Sequence, residues 1–301
     1  MSTLCKHHIP CPICGSADCH ELYPDTLGDR LPDFDYDFSP SHRQSFRTVR
    51  CEHCGHGYSS PLPADLYANY VDVEDKEYMR NREQRRMTAV KVLSVIRRFK
   101  PGGALLDVGC ATGDFLDVAR ESYDAEGLEL SKWAADVASR TGAHIYRQRL
   151  SDMPENERYD VVTLWGVIEH FETPQVEIAG INRLLKYGGL LCLWTGDLDS
   201  WVARFLGKRW WYVQGQHIQM FTMHSLEKLM QENGFVKKEM SRYPYVMSLR
   251  SIAKSLSRYK AIGTLASLLL DNSLLGDVRI TLKLPGEMFG IFEKVAPAGK
   301  M

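Results

Sequence analysis

Two groups of residues in this chain have types and spacings that could do chemistry. The first is a pair of cysteine knuckles, "CPICG" with Cys11 and Cys14 and "CEHCG" with Cys51 and Cys54, spaced C-x₂-C-x₃₆-C-x₂-C. A glycine after each pair lets the backbone turn tightly, so nearby amides can point at the thiolates, and two such knuckles complete a tetrahedral sulfur site. Zinc is the metal expected there. Iron in a rubredoxin-like knuckle is the rival, because both metals accept four sulfurs in a tetrahedron. Four unligated thiols are the remaining reading, against which the doubled spacing argues. The stretch between the knuckles is polar and turn-rich, and could hardly build a core without a staple. Cys5, Cys19, His7, His8, His20, His53 and His56 are surplus to a four-ligand site and are expected to be solvated or packed, unless one replaces a ligand.

The second group is "ALLDVGCATGDFLDVA", residues 104–119, an apolar run that ends in a glycine-rich turn and becomes helical. In an open α/β sheet, ligands bind beyond the carboxyl ends of the strands. The turn "DVGCATG" lacks the G-x-G-x-x-G spacing of a dinucleotide fold. Asp107 beside it suits a ligand with an ammonium group better than one with a pyrophosphate. Glu129 ends the next strand-like run, about twenty residues on, where an acid hydrogen-bonds ribose hydroxyls. A ligand with a ribose, an ammonium group and no phosphate is implied. S-adenosylmethionine fits.

The elements that must position these residues alternate. A helix is expected from about Asp75 to Lys100, with Ala89, Val92, Leu93, Ile96 and Phe99 on its apolar stripe and Arg86, Lys91, Arg97 and Arg98 solvated. "ALLDVG", "AEGLEL", "AHIYRQRL", "YDVVTLW" and "LLCLWT" read as strands. Helices lie between them, including "PQVEIAGINRLLKYGG", closed by Gly188-Gly189. The tail "VRITLKLPGEMFGIFEKV" reads as two strands around a Pro-Gly turn. Alternation of this kind implies an open, parallel, doubly wound sheet with helices on both faces. The expected units are a metal module at 1–60, a linker and helix at 61–100, and an α/β domain at 101–301 with a helical insertion at 243–277.

Composition narrows the class. The 301 residues are 44% hydrophobic and 25% charged, with a formal net charge of −1, so no global field attracts nucleic acid. The N-terminus lacks a charged-then-apolar signal pattern, and no run approaches the ~20 apolar residues of a spanning helix. A cytoplasmic protein is expected, with cysteines as thiols or metal ligands rather than disulfides.

"LLDVGCATGDFL", "GLELS" and "YDVVTLWGVIEHFETP" resemble, in order, the motifs of class I S-adenosylmethionine-dependent methyltransferases, from about residue 103 to 240. "CPICGS…CEHCGHGYSSPLP" resembles the zinc-binding module that precedes the methyltransferase domain in some bacterial members, among them sugar C-methyltransferases. The resemblance implies a Rossmann-like, seven-stranded α/β sheet preceded by a zinc ribbon. It implies that Gly109, Cys110, Ala111 and Gly113 line the cofactor. Asp107 would support the loop or hold the amino group, Glu129 would bind the ribose diol, and Leu130 would flank adenine. Leu150, Ser151 and Asp152 would face adenine, and Trp165 and Gly166 would border the sulfonium, which an aromatic face attracts. Core packing is the plainer role for Trp165. Cys110 stands where many relatives have glycine.

Methyl transfer to a hydroxyl or an acidic C–H needs a base. His170, in "IEHF", and His217, in "WWYVQGQHIQMF", fall where loops should surround the methyl, whereas His224 reads as a helix cap. Recurrence of the Glu169-His170 pair in the family suggests loop support for His170, which leaves His217 as the base or as a packed residue. Trp210, Trp211 and Tyr212 would form either a stacking wall for a sugar or aromatic ring or a lid packed on the core. Arg250, Lys254, Arg258 and Lys260, beside Leu249, Ile252, Ala253 and Leu256, make a basic amphipathic segment. A cap or dimer surface is favoured over peripheral contact with an anionic membrane. The resulting expectation is a methyltransferase for a small-molecule, sugar or lipid-linked acceptor of glycan or secondary-metabolite type. The alternatives are a zinc-ribbon RNA methyltransferase, disfavoured by the few basic residues near the knuckles, and a non-catalytic adaptor.

Overall fold

The computed structural model describes residues 6–34, 36, 44–63, 66–67, 70–256 and 274–299. Five short strands carry the knuckles: β1 (Lys6–His7), β2 (Cys19–Tyr23), β3 (Thr48–Cys51), β4 (Gly57–Ser59) and β5 (Leu62–Pro63). β2, β3 and β4 lie side by side and antiparallel, and β1 pairs with β5. Then follows α1 (Arg82–Ile96), which buries Ala89, Val92, Leu93 and Ile96 as its spacing predicts. It starts later than expected, because Tyr78–Asn81 is a 3₁₀ turn. Arg86 and Arg98 are not merely solvated: they pair with Asp117 and Glu239.

The remaining elements are β6 (Gly103–Val108), α2 (Asp114–Ala119), β7 (Tyr123–Leu128), α3 (Lys132–Ser139), β8 (Ile145–Tyr146), β9 (Tyr159–Trp165), α4 (Pro174–Leu184), β10 (Leu185–Gly196), α5 (Trp201–Leu206), β11 (Gln219–Met220), α6 (Met223–Glu232), β12 (Phe235–Ser241), β13 (Pro244–Ser248), α7 (Leu249–Leu256), β14 (Arg279–Lys283) and β15 (Glu287–Lys294). Seven strands make the main sheet, in the order β12-β15-β10-β9-β6-β7-β8. Alternate residues of β6 feed opposite layers, Leu106 toward α4 and α6 and Leu105 toward α1 and α2. The sheet is therefore doubly wound, with its glycine turn at the carboxyl end of the interior strand β6.

Several expectations need correction. The sheet is mixed, because β15 runs antiparallel to both β10 and β12. The tail strands do not pair with each other: β14 pairs with β13 in a separate ribbon, and β15 enters the main sheet. The third strand has only two residues, Ile145–Tyr146. α4 stops at Leu184 rather than at Gly188-Gly189. There Lys294, only 2% exposed, donates to the carbonyls of Asn182 and Leu185 at 2.9 and 2.8 Å, so a buried ammonium terminates the helix. The segment expected as a helical insertion opens as β13, followed by α7. Residues 257–273, with Arg258 and Lys260, lie outside the described residues. In α7, Arg250 pairs with Asp277.

The cysteine ribbon shares a sheet with a later part of the chain. β11, from the far side of the sequence, adds to β4 and completes a four-stranded sheet in the order β11-β4-β3-β2. Gly57 permits it: a Cβ there would lie 2.8 Å from Leu198 Cδ2 and 3.1 Å from Met220 Cβ. His56, fully buried, sits 2.9 Å from Gln219 Oε1 and 3.3 Å from Ser225 Oγ. Replacing His56 by Ala would open a cavity and leave Gln219 Oε1 without its imidazole donor, costing about 2–4 kcal/mol. Differential scanning calorimetry should show one transition shifted down by several degrees, not a separate early melting of the first 60 residues.

Candidate active site and cysteine cluster

The glycine turn is held in a conformation that β7 dictates. After β6 the chain turns through Gly109 (φ +70°), Ala111 (φ +46°) and Gly113 (φ +77°) into α2. The amides of Gly109 and Cys110 donate to the Leu128 carbonyl at 2.8 and 3.1 Å. A Cβ on Gly109 would come within 2.7 Å of Val167 Cγ2, so no other residue fits there. Ala111 takes a left-handed conformation at a cost that its surroundings must offset. Its amide donates to Glu129 Oε2 at 2.9 Å, and the Ser131 amide donates to Glu129 Oε1 at 2.8 Å. Glu129 is 1% exposed; burial pushes its carboxyl pKa up while the amides oppose the shift. Asp107, also buried, accepts from Thr163 Oγ1 at 2.6 Å, and burial with the nearby Glu129 charge pushes it up to about 7.

Around this turn, Cys110 is buried, and its Sγ would lie 2.6 Å from a Cβ on Gly127, so it fills space against β7. Leu130 is half-buried. Leu150 is buried and Ser151 exposed; both line a cleft with Glu177 and Arg183 of α4 that includes no residue of the glycine turn. Trp165 packs on Phe115, Tyr243 and Phe289 at ring distances of 5.2, 5.6 and 6.1 Å, yet its Nε1 is buried with no hydrogen-bond partner. Gly166 (φ +70°) turns the chain out of β9.

Residues that the sequence did not mark also reach this end. The Tyr36 hydroxyl donates to Glu129 Oε1 at 3.3 Å, with Tyr70 and Tyr78 packed on its ring. Arg85 lies 3.5 Å over the Tyr78 ring and donates to Asp114 Oδ2 at 2.7 Å, tying α1 to the first turn of α2. Tyr36 comes from a polar, turn-rich stretch with no periodicity that could have flagged it.

Across the turn after β9 lie Glu169, His170 and His217. His170 Nδ1 donates to the Gln216 carbonyl at 2.8 Å and His217 Nδ1 to the Tyr212 carbonyl at 2.9 Å. Glu169 Oε2 accepts from Thr195 Oγ1 at 3.2 Å, and that hydroxyl lies 2.7 Å from Tyr212 Oη. Burial pushes Glu169 up to about 7 and His170 down to about 4. Trp210 and Tyr212, 1% and 2% exposed, stack on each other at 5.1 Å inside the core. They are packing residues rather than an open wall, and Trp211 donates to Glu287 Oε1 at 2.8 Å. His224 is not the cap of α6; Thr222 is, in a reciprocal capping box with Ser225.

The knuckles converge. Cys11 and Cys54 sulfurs lie 3.5 Å apart, as do those of Cys14 and Cys51. These gaps far exceed a disulfide bond and approach the separation of about 3.8 Å set by a tetrahedron of metal–sulfur bonds near 2.3 Å. All four sulfurs lie within 4.8 Å of one another, which is a metal-site geometry. Cys19 is exposed, His20 sits against Glu52, His53 against Asp18, and His56 is in the core; Cys5 lies outside the described residues.

A family model for a methyltransferase domain matches residues 78–239. The chain belongs to this methyltransferase family. It is 32% identical over 150 residues to the mitochondrial ubiquinone biosynthesis O-methyltransferase of Candida albicans, covering 43% of this chain and 42% of that one. An uncharacterized protein of Methanocaldococcus jannaschii is 28% identical over 141 residues, covering 46% of this chain and 65% of the relative. The chain thus spans less than two thirds of these relatives. A solved SAM dependent methyltransferase from Archaeoglobus fulgidus superposes with a TM-score of 0.50 at 15% identity, covering 73% of this chain and all of that one, a likeness of fold. Among the described residues no helix is long and apolar enough to cross a membrane.

Asp107 gives this methyltransferase domain a pH signature. Its folded pKa lies above its unfolded value, so the native state holds the proton more tightly, and stability falls as pH rises from about 4 through about 7. In chemical denaturation at a series of pH values, Asp107→Asn should lose that part of the decline and gain on the parent between pH 6 and 8.

Proposed function

We propose that the chain is an S-adenosylmethionine-dependent methyltransferase for a small-molecule or glycan intermediate, with a structural zinc in the Cys11, Cys14, Cys51 and Cys54 cluster. The observation that carries this reading is the Glu129 carboxylate locked beside the glycine turn at the end of β6. The Ala111 and Ser131 amides orient its two oxygens, and a ribose hydroxyl would take the place of the longer, 3.3 Å bond from Tyr36.

The residues divide the work. Gly109, Cys110, Ala111 and Gly113 give the cofactor a backbone surface, Asp107 faces its ammonium group, and Leu130, Leu150 and Ser151 take the adenine side. Trp165, with its orphaned N–H, and Gly166 border the reacting end. When bound, the cofactor supplies an electrophilic methyl on a sulfonium, so the protein mainly aligns the acceptor and excludes water. His170 and His217, on the acceptor side, activate the acceptor.

A small acceptor is favoured over RNA because four basic residues described in the metal module are already engaged. Lys6 pairs with Asp25, Arg47 with Glu21 and Arg50 with Asp199, while Arg30 donates to Gln44. Little positive charge is left there to grip phosphates.

Three measurements test this reading. Glu129→Ala should weaken S-adenosylmethionine binding at least tenfold by calorimetry, since even one charged hydrogen bond is worth roughly 1.5–3 kcal/mol; unchanged affinity would refute the role of Glu129. His217→Ala should keep cofactor affinity while turnover drops by about 10²–10⁴. Elemental analysis of protein purified without chelators should find zinc, and Cys51→Ser should lose it. A red, redox-active protein would assign iron instead.

A further inference from the structure

The groups on the acceptor side are arranged in a way that packing alone does not require. Glu169 and His170 follow β9, whereas His217 precedes β11. Two hydrogen bonds clamp these loops together, Ile218 N to the Glu169 carbonyl at 3.0 Å and Gln219 Nε2 to the Phe171 carbonyl at 2.9 Å. One nitrogen from each imidazole and one Glu169 oxygen then lie within 4.8 Å of one another. His217 and Glu169 are 8% and 1% exposed.

The hydrogen bonds select what these groups can do. Each imidazole gives its Nδ1–H to a main-chain carbonyl, Gln216 for His170 and Tyr212 for His217. A neutral imidazole that donates from one nitrogen presents a lone pair on the other. Orientation by a carbonyl behind the ring is how metal-ligating histidines are usually held. Glu169 is likewise oriented from behind, by Thr195 and through it Tyr212. The Gln214 side-chain nitrogen lies 2.8 Å from His217 Nε2, which marks that nitrogen as an acceptor whose lone pair Gln214 would yield to a cation.

We propose that Glu169, His170 and His217 bind one divalent first-row cation, in a two-histidine, one-carboxylate site whose open positions take a hydroxyl of the acceptor. The nitrogen and oxygen donor set separates it from the four-sulfur cluster. For the acceptor, this inference rests on the methyltransferase reading. A hydroxyl on the cation gives up its proton to solvent more readily than a free one. Its oxygen then forms a bond to the methyl carbon as the carbon–sulfur bond breaks, and sulfur keeps the electron pair.

The test adds cobalt(II) to the full-length, zinc-loaded protein. One cobalt per chain should bind, with the weak d–d bands of nitrogen and oxygen ligation and no thiolate charge-transfer band. His217→Ala and Glu169→Gln should each weaken cobalt at least tenfold while zinc content and cofactor affinity stay unchanged. Failure of the folded parent protein to bind cobalt, or a thiolate band from exchange at the cysteines alone, overturns the proposal. The parent spectrum decides even if a variant fails to fold. Cofactor binding without cobalt binding sinks this inference alone, whereas absence of cofactor binding sinks the methyltransferase reading.

Discussion

Gln219 and Met220 pair with Tyr58 and Gly57, and on this short ladder the arrangement of the loops bearing Glu169, His170 and His217 depends. A three-stranded ribbon with two cysteine knuckles has too little core to stand alone. Docked through β11, it shares Ile13, Val49 and Tyr58 with a core that also holds Leu164, Leu226 and Phe221. The same two residues end the segment that carries His217, so one edge of the acceptor region is fixed by the ribbon and the other by the turn after β9. His56 seals the junction, and desolvation holds its pKa down at about 4, so it stays neutral inside.

The other constraint is the competition between charge and burial at the carboxyl ends of β6, β7 and β9. Asp107, Glu129 and Glu169 are each about 1% exposed. Buried acids persist only where hydrogen bonds compensate them. Two amides and a tyrosine serve Glu129, whereas hydroxyls serve Asp107 and Glu169. Burial raises all three carboxyls, Asp107 and Glu169 to about 7, and the hydrogen bonds oppose it. A cationic ligand beside such groups would return them to the charged form.

Much of this was legible in the residues because the signals were local. The apolar runs gave β6, β7, β9 and β10, and the doubled C-x₂-C spacing gave a cluster whose sulfurs do meet. What could not be read was set by distant partners. Nothing in "QHIQMF" announces a strand for a ribbon some 160 residues earlier, since two residues carry no period. Lys294 ending α4 is equally invisible, as is Tyr36 at Glu129. Trp210 and Tyr212 left two readings open for a related reason: aromatic composition says that a segment buries area, not whether that area faces a ligand or the core.

The β4–β11 ladder also bears on how the protein is made. On the ribosome, chains emerge from the N-terminus, and domains tend to fold as they appear. Here the cysteine ribbon emerges first but cannot complete its sheet until Gln219 and Met220 follow, after most of the parallel sheet has been synthesised. Until then the β4 edge and its apolar face stay open. A bound metal would organise the knuckles early, but the ribbon's last edge closes late, through a contact of long sequence separation and therefore slow closure.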